Sequence, residues 1–437
     1  MTTATRCALV AAAAMLPVAL ASQTPGSSAR AIGMGGAYTT LARGYEAAAW
    51  NPAMLGMPGR PKWSVNFGQA QVAAYSNAFS LGDLNRWSSG TLTTADKDSI
   101  LALIRSGDPD RPLILGSGVD ATTLSLSVGN FALTLSGFAE LQTAIADDAV
   151  EIALFGNASR RTPGATYEFA GSGGDAMGGL HASLSYGRRL NVMPTGILAV
   201  GATARLSRGV FIGRVTDVGS SLQNAPNFDA DLRIHALVAD LDSSTNHGSG
   251  LGLDLGATYE MLSGMRFGLV IENAISRFSW SDENLLYYRY AYLLRQTGDT
   301  YEDSTIAEIE GVAFNANDPV QRALRDSMFG DAHPPTRVRA GTSLDLGGVV
   351  VAGDLTVRLR SGILDAGDKR VAAGAELTLI PILRPRFGLA TDLETGFAYA
   401  VGLGLSLGPL RTDWALSMIP GGSRKGFVLA VGMSLIS

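Results

Sequence analysis

Residues 396–408 read Gly-Phe-Ala-Tyr-Ala-Val-Gly-Leu-Gly-Leu-Ser-Leu-Gly, and their period of two decides the fold class. In an extended chain Phe397, Tyr399, Val401, Leu403, Leu405 and Leu407 fall on one face and Ala398, Ala400, Gly402, Gly404, Ser406 and Gly408 on the other. The split recurs in Leu251 to Glu260, Val338 to Asp345 and Phe427 to Leu435. A sheet facing bulk water carries Lys, Glu and Thr opposite its apolar face; here that face is small or sparsely charged. Only four lysines occur, Lys62, Lys97, Lys369 and Lys425. Segments of about ten residues, apolar outside and small or polar inside, are what a barrel wall tilted across a bilayer needs.

Composition points the same way. The 437 residues are 46% hydrophobic and 17% charged, with 53 glycines and a mean hydropathy of +0.17, which excludes a disordered chain. A formal charge of −5 removes the basic surface that nucleic-acid binding requires. Beyond the first 21 residues no apolar run approaches the ~18 residues of a spanning helix. That first stretch reads as a cleaved secretory signal: Arg6, the apolar run Ala8 to Ala21, and a small-residue site before Ser22. Cys7, the only cysteine, leaves with it, so no disulfide is expected.

Strands are expected near 63–74, 121–128, 130–142, 178–190, 196–212, 249–261, 265–280, 335–346, 348–360, 370–380, 384–392, 396–408, 409–418 and 426–436. One set of connections is short and rich in Gly, Pro and Asn; the other holds every long excursion, 75–120, 143–177, 213–248 and 281–334. That asymmetry is the mark of bacterial outer-membrane barrels. The expected architecture is all-β: a 14-stranded antiparallel transmembrane β-barrel with an N-terminal lumenal plug and partly helical extracellular loops. The parts are a signal peptide (1–21), a plug (22–62) and the barrel (63–437). Helices are expected at Thr94 to Ile104, Ala146 to Phe155, Thr305 to Ile309 and Val320 to Met328. Tyr287, Tyr288, Tyr290 and Tyr292 are read as packing the longest loop or forming an aromatic girdle.

In the plug, Arg30, Gly35, Gly36, Glu46, Asn51, Pro52 and Ala53 stand out. Glycine lets backbone pass close to wall side chains, and Pro52 ends a short helix over Glu46 to Trp50, freeing the Asn51 side chain for turn bonds. The same alternation points Asp254, Glu272, Arg339, Asp354, Arg358, Glu376 and Arg411 into the lumen, with Glu260, Asp345 and Asp413. Both signs occur, and these charges are expected to pair with one another and with the plug. His181, His235, His247 and His333 lack metal-ligand spacing, and no GxSxG elbow or phosphate loop occurs, so no catalytic, metal or cofactor site is assigned.

The stretch from Ser28 to Gly56, with its Gly-Met-Gly-Gly-Ala-Tyr opening and its Asn51-Pro52-Ala53-x-Leu55 motif, resembles the plug of the long-chain fatty acid outer-membrane transporter superfamily (FadL-type). It is closer still to uncharacterised FadL-like and PorV-like branches. The resemblance implies a fourteen-stranded outer-membrane barrel with its N-terminus in the lumen, in contact with membrane lipid. It implies passive uptake of small hydrophobic molecules, captured by extracellular loops and released past the plug or through a lateral opening. The alternative is a PorV-like scaffold or shuttle, with a secretion-system or surface protein as partner and no transport.

Overall fold

The computed structural model describes residues 28–88, 90–106, 112–156, 165–190, 195–223, 227–241, 248–298, 300–360, 369–393 and 396–437. The signal segment and Cys7 lie outside them, as does His247. Fourteen strands form the wall: β1 Trp63–Ser76, β2 Leu113–Val128, β3 Phe131–Ile145, β4 Gly173–Leu190, β5 Gly196–Asp217, β6 Gly248–Met261, β7 Arg266–Trp280, β8 Arg337–Asp345, β9 Val349–Arg358, β10 Lys369–Leu377, β11 Leu383–Asp392, β12 Gly396–Leu407, β13 Leu410–Ile419 and β14 Lys425–Ile436. Each pairs antiparallel with the next, and β14 returns to β1 with Ser64 opposite Ile436 and Ser76 opposite Lys425. Closure leaves no open edge, the condition for a sheet surrounded by lipid. All fourteen expected strands are present, several longer than expected at their long-loop ends. Among the described residues no helix is long and apolar enough to cross a membrane.

The outward face carries exposed Leu133, Leu184, Leu255, Phe267, Leu389, Val401 and Leu429, an apolar belt of the kind lipid covers. The tight turns at the short-loop end use Gly129, Gly264, Gly347 and Gly408 at positive φ, a conformation glycine adopts without steric cost. Asp345 closes one of them: its carboxylate accepts from Gly347 N at 2.9 Å. It is therefore an exposed turn residue, not a lumen charge.

The opposite end carries the excursions. Helices α3 (Leu81–Trp87) and α4 (Thr94–Arg105) each begin with a capping box, Ser80 with Asp83 and Thr93 with Asp96. Hydroxyl and backbone bonds hold both aspartates below the usual carboxylate range. Helix α5 (Asp147–Phe155) packs beside α4, and Arg105 joins them through Asp147 at 2.6 Å and Glu151 at 2.7 Å. The expected helix at Thr305 to Ile309 is instead part of a strand, Thr300–Ala313, paired with Leu285–Thr297, which pairs in turn with Asp229–Ala239 on the top of β5. Ladder pairing on this hairpin overrides the local pattern. Tyr287 is buried there, Tyr290 and Tyr292 stack at 6.2 Å, and Tyr288 is exposed, so the tyrosines pack the loop. Helix α6 (Pro319–Asp331) lays Leu324 and Met328 on Ile212, Leu237, Trp280 and Tyr287, forming a cap with its own core.

Candidate functional site

The largest core is inside the barrel. Residues 28–62 thread the lumen, and Met34, Tyr38, Trp50, Met54, Leu55 and Met57 are fully buried against wall alanines such as Ala132, Ala199, Ala352, Ala372 and Ala390. A helix, α1 (Ala29–Gly33), starts at Ser28, whose hydroxyl accepts from Ala31 N at 3.3 Å. A second, α2 (Ala47–Trp50), stops at Asn51, which is extended at φ −162° ahead of Pro52. The Asn51 side chain accepts from Ala53 N at 3.1 Å and donates to Thr39 O at 3.2 Å and to Thr258 Oγ1 at 2.8 Å. The expected helix stop is also a strut between plug and wall.

Glycines of the wall make room for this backbone. In register, Gly187 lies opposite Gly201 and Gly201 opposite Gly256; Gly268 faces Gly341, and Gly374 faces Gly388. A Cβ on Gly187 or Gly201 would collide with the Pro52 backbone, on Gly374 with Met34, and on Gly388 with Gly35. On Gly402 it would come within 2.9 Å of the Gly33 Cα. The seat spans both halves of the barrel. Alternation places these glycines on the lumen face, but which of them are cross-strand neighbours under the plug emerges only from the pairing register.

Charges fix the seated plug. Arg30 reaches Glu376 of β10 through two bonds of 2.8 Å, and Arg386 of β11 bridges the same carboxylate at 2.6 Å to Asp413 at 2.6 Å. Arg30 also donates to the Tyr38 hydroxyl at 3.2 Å; Tyr38 donates to Glu46, which accepts from Ser28 Oγ at 2.8 Å as well. Asp354 of β9 accepts from Tyr38 N and Thr39 N, each at 2.9 Å, and from Thr39 Oγ1 at 2.6 Å. Gly35 O accepts from Arg370 at 2.8 Å, and the Arg370 guanidinium lies against Gly36. Glu260 pairs with Arg266 at 2.6 Å. Arg386, Tyr38 and Arg370 were not singled out from sequence, although the inward phase of Glu376 and the Arg excess pointed to partners of this kind.

Two expected charges lie near the ends of their strands. Among the described residues no carboxylate pairs with Arg411, which lies at the short-turn end between Ser406 and Ser434 in register. Arg358 lies at the long-loop end of β9, opposite Arg337.

Above the plug lies a chamber of about 190 Å³. Its floor is Ala48 and Ala49 of α2, its roof Ala332 to Pro335 behind α6, and its apolar wall Phe138, Met177 and Phe278. One side is shaped by a bulge in β7: Glu272, Asn273 and Ala274 stand opposite the single residue Asp254 of β6. Asn273 is left-handed at φ 51°, donating from N to Asp254 at 2.8 Å and from Nδ2 to Pro335 O at 2.8 Å. Arg205 binds Asp254 at 2.6 Å, while Glu272 lies 3.9 Å from both Arg337 and Arg339. Arg339 is buried over the Trp50 ring at 5.1 Å. His181 stacks on Phe138 at 5.1 Å with Nδ1 2.8 Å from Ser207 Oγ. Among the described residues no cluster of three or more His, Cys, Asp and Glu is placed to hold a metal ion.

A protein-family model of unknown function, DUF5723, matches residues 52–274, just over half of the chain. The chain belongs to the DUF5723 family. The match begins at Pro52, directly after the Asn51 strut, and ends at the β7 bulge, so this DUF5723 region includes one side of the chamber. No curated protein matches the chain. Among solved structures, the TodX monoaromatic hydrocarbon channel deltaS2 mutant is 12% identical at a TM-score of 0.52, covering 95% of this chain and 100% of that one. The TodX deltaS2S3 mutant channel is 12% identical at 0.50, covering 94% and 99%. The toluene transporter TbuX of Ralstonia pickettii is 12% identical at 0.49, covering 95% and 99%. This DUF5723 member therefore has the FadL-type fold: a fourteen-stranded barrel with its N-terminal segment in the lumen.

Proposed function

We propose that this protein is an outer-membrane channel for the passive uptake of small hydrophobic molecules, exported with a signal at residues 1–21 and gated by the segment 22–62. The observation that carries the reading is a chamber bounded by two separate devices, the plug below and the α6 cap above. In this reading the short-turn end is periplasmic. Ligand enters beneath the cap, rests against Phe138 and Phe278, and leaves when α2 and the Asn51-Pro52-Ala53 strut shift. Of the charges lining the chamber, Arg205 is held by Asp254 and Glu272 lies beside Arg337, while Phe138 and Phe278 offer ring faces to a ligand.

Size sets the substrate class. A cavity of about 150 Å³ accommodates benzene, so by volume this slightly larger chamber suits one ring or a short alkane and not an extended acyl chain. The similar TodX proteins are monoaromatic hydrocarbon channels, which agrees with that size. A scaffold role would call for a solid lumen; the chamber above the plug favours transport. The test is uptake of labelled toluene and of decanoate by a Gram-negative host stripped of its own hydrophobic-uptake channels, where lipopolysaccharide is the barrier. Toluene entry above the empty-vector strain is expected; equal entry with and without the protein contradicts the proposal.

A further inference from the structure

A second site lies at the short-turn rim, away from the chamber. A groove of about 680 Å³ is lined by Arg60, Asn130, Phe131, Tyr186, Arg188 and Arg189 with Gly56 and Pro58. It carries three guanidinium groups and no carboxylate. Among the described residues neither Arg188 nor Arg189 has an acidic partner, in contrast to Arg30, Arg205, Arg266 and Arg386, and both are exposed.

The local fold explains the groove. Strand β4 runs on past its neighbour β3: the β3 pairing starts at Phe131 opposite Tyr186, whereas residues 187–190 pair only with β5. The projecting backbone of Arg188 and Arg189 is backed by Gly56, where a Cβ would come within 2.6 Å of Arg188 C. Arg60 is held at the same rim by Gly129 O at 3.1 Å and Asn130 Oδ1 at 2.9 Å. Phe131 and Tyr186 are 55% and 42% exposed, with ring centroids 4.8 Å apart, on the outward face that continues into the apolar belt.

We infer that this groove binds the anionic headgroup of a phospholipid in the leaflet at the short-turn end. The headgroup phosphate sits between Arg188 and Arg189, and the acyl chains run over Phe131 and Tyr186. Guanidinium matches phosphate through paired donors, and tyrosine and phenylalanine at this level face the interface. Three positive charges without an acid select a net-negative headgroup over a zwitterionic one. The rings and their continuity with the lipid-facing wall select a lipid over a free anion.

The test is native mass spectrometry of the folded barrel in a non-ionic detergent, titrated with dioleoylphosphatidylglycerol, dioleoylphosphatidylcholine or inorganic phosphate. Retained phosphatidylglycerol, weaker phosphatidylcholine and no competition from millimolar phosphate are expected. Arg188→Ala/Arg189→Ala should weaken phosphatidylglycerol binding roughly thirtyfold, which corresponds to about 1 kcal/mol for each of the two basic residues near a membrane surface. Arg295→Ala, on the loop hairpin, should leave it unchanged. Single Arg188→Gln and Arg189→Gln variants give the reading if the double variant does not fold. Equal binding of the two lipids, wild-type binding by folded rim variants, or displacement by phosphate overturns the inference.

Discussion

At the residue scale, the wall glycines under the plug carry a requirement that composition alone does not reveal. Gly388→Val places side-chain atoms where the Gly35 backbone runs, and overpacking of this kind costs about 1–3 kcal/mol. Its unfolding midpoint in urea should fall, whereas Gly353→Ala, whose Cβ meets nothing closer than Ala372 O at 3.7 Å, should be neutral. Equal midpoints for the two variants would remove the seat. The ion network makes a second prediction. Arg30→Met breaks a bidentate pair but leaves Glu376 with Arg386, so the loss should be smaller than the about 3–5 kcal/mol of a buried charge left without any partner. Urea unfolding of Arg30→Met, Glu376→Gln and the double variant should show strong coupling; additive effects would place the two residues in separate roles. Asn273→Gly should retain the bulge, since glycine accepts φ 51°, whereas Asn273→Val should lower barrel stability.

At the element scale, what the sequence makes legible follows from where each signal lives. The fourteen wall strands are legible because lipid on one side and plug on the other enforce strict alternation, visible in β12 as Phe397 to Leu407. The Asn51-Pro52 stop is legible because it is local chemistry. The hairpin Leu285–Thr297 and Thr300–Ala313 is not: it stands beyond the wall, buried at Leu285, Tyr287 and Ala291 of its first strand while Tyr301 of its second is exposed, so Thr305 to Ile309 carries no clear period and pairing with the neighbouring strand fixes it. The glycine seat and the Arg386 bridge depend on register between distant strands, which no single segment encodes. Filling the chamber tests the element that frames it. Ala49→Trp should reduce toluene uptake by cells to near the empty-vector level while the folded barrel keeps its mobility on unheated gels; unchanged uptake would move the path elsewhere.

At the scale of the whole molecule, the barrel holds two cores in series: the plug in the lumen and the cap beneath α6, with the chamber between them. With the plug filling the lumen below the chamber, movement of the plug is the central claim. Gly268 and Thr40 offer the direct test, since a Cβ on Gly268 lies 2.8 Å from Thr40 Cγ2 and a cysteine pair there would tie plug to wall. The measurement is toluene uptake by cells carrying Thr40→Cys/Gly268→Cys, oxidised and then reduced, with disulfide formation verified by mass. Uptake should fall to the empty-vector level when the bond is formed and recover on reduction; full uptake through the oxidised protein would contradict a route past the plug.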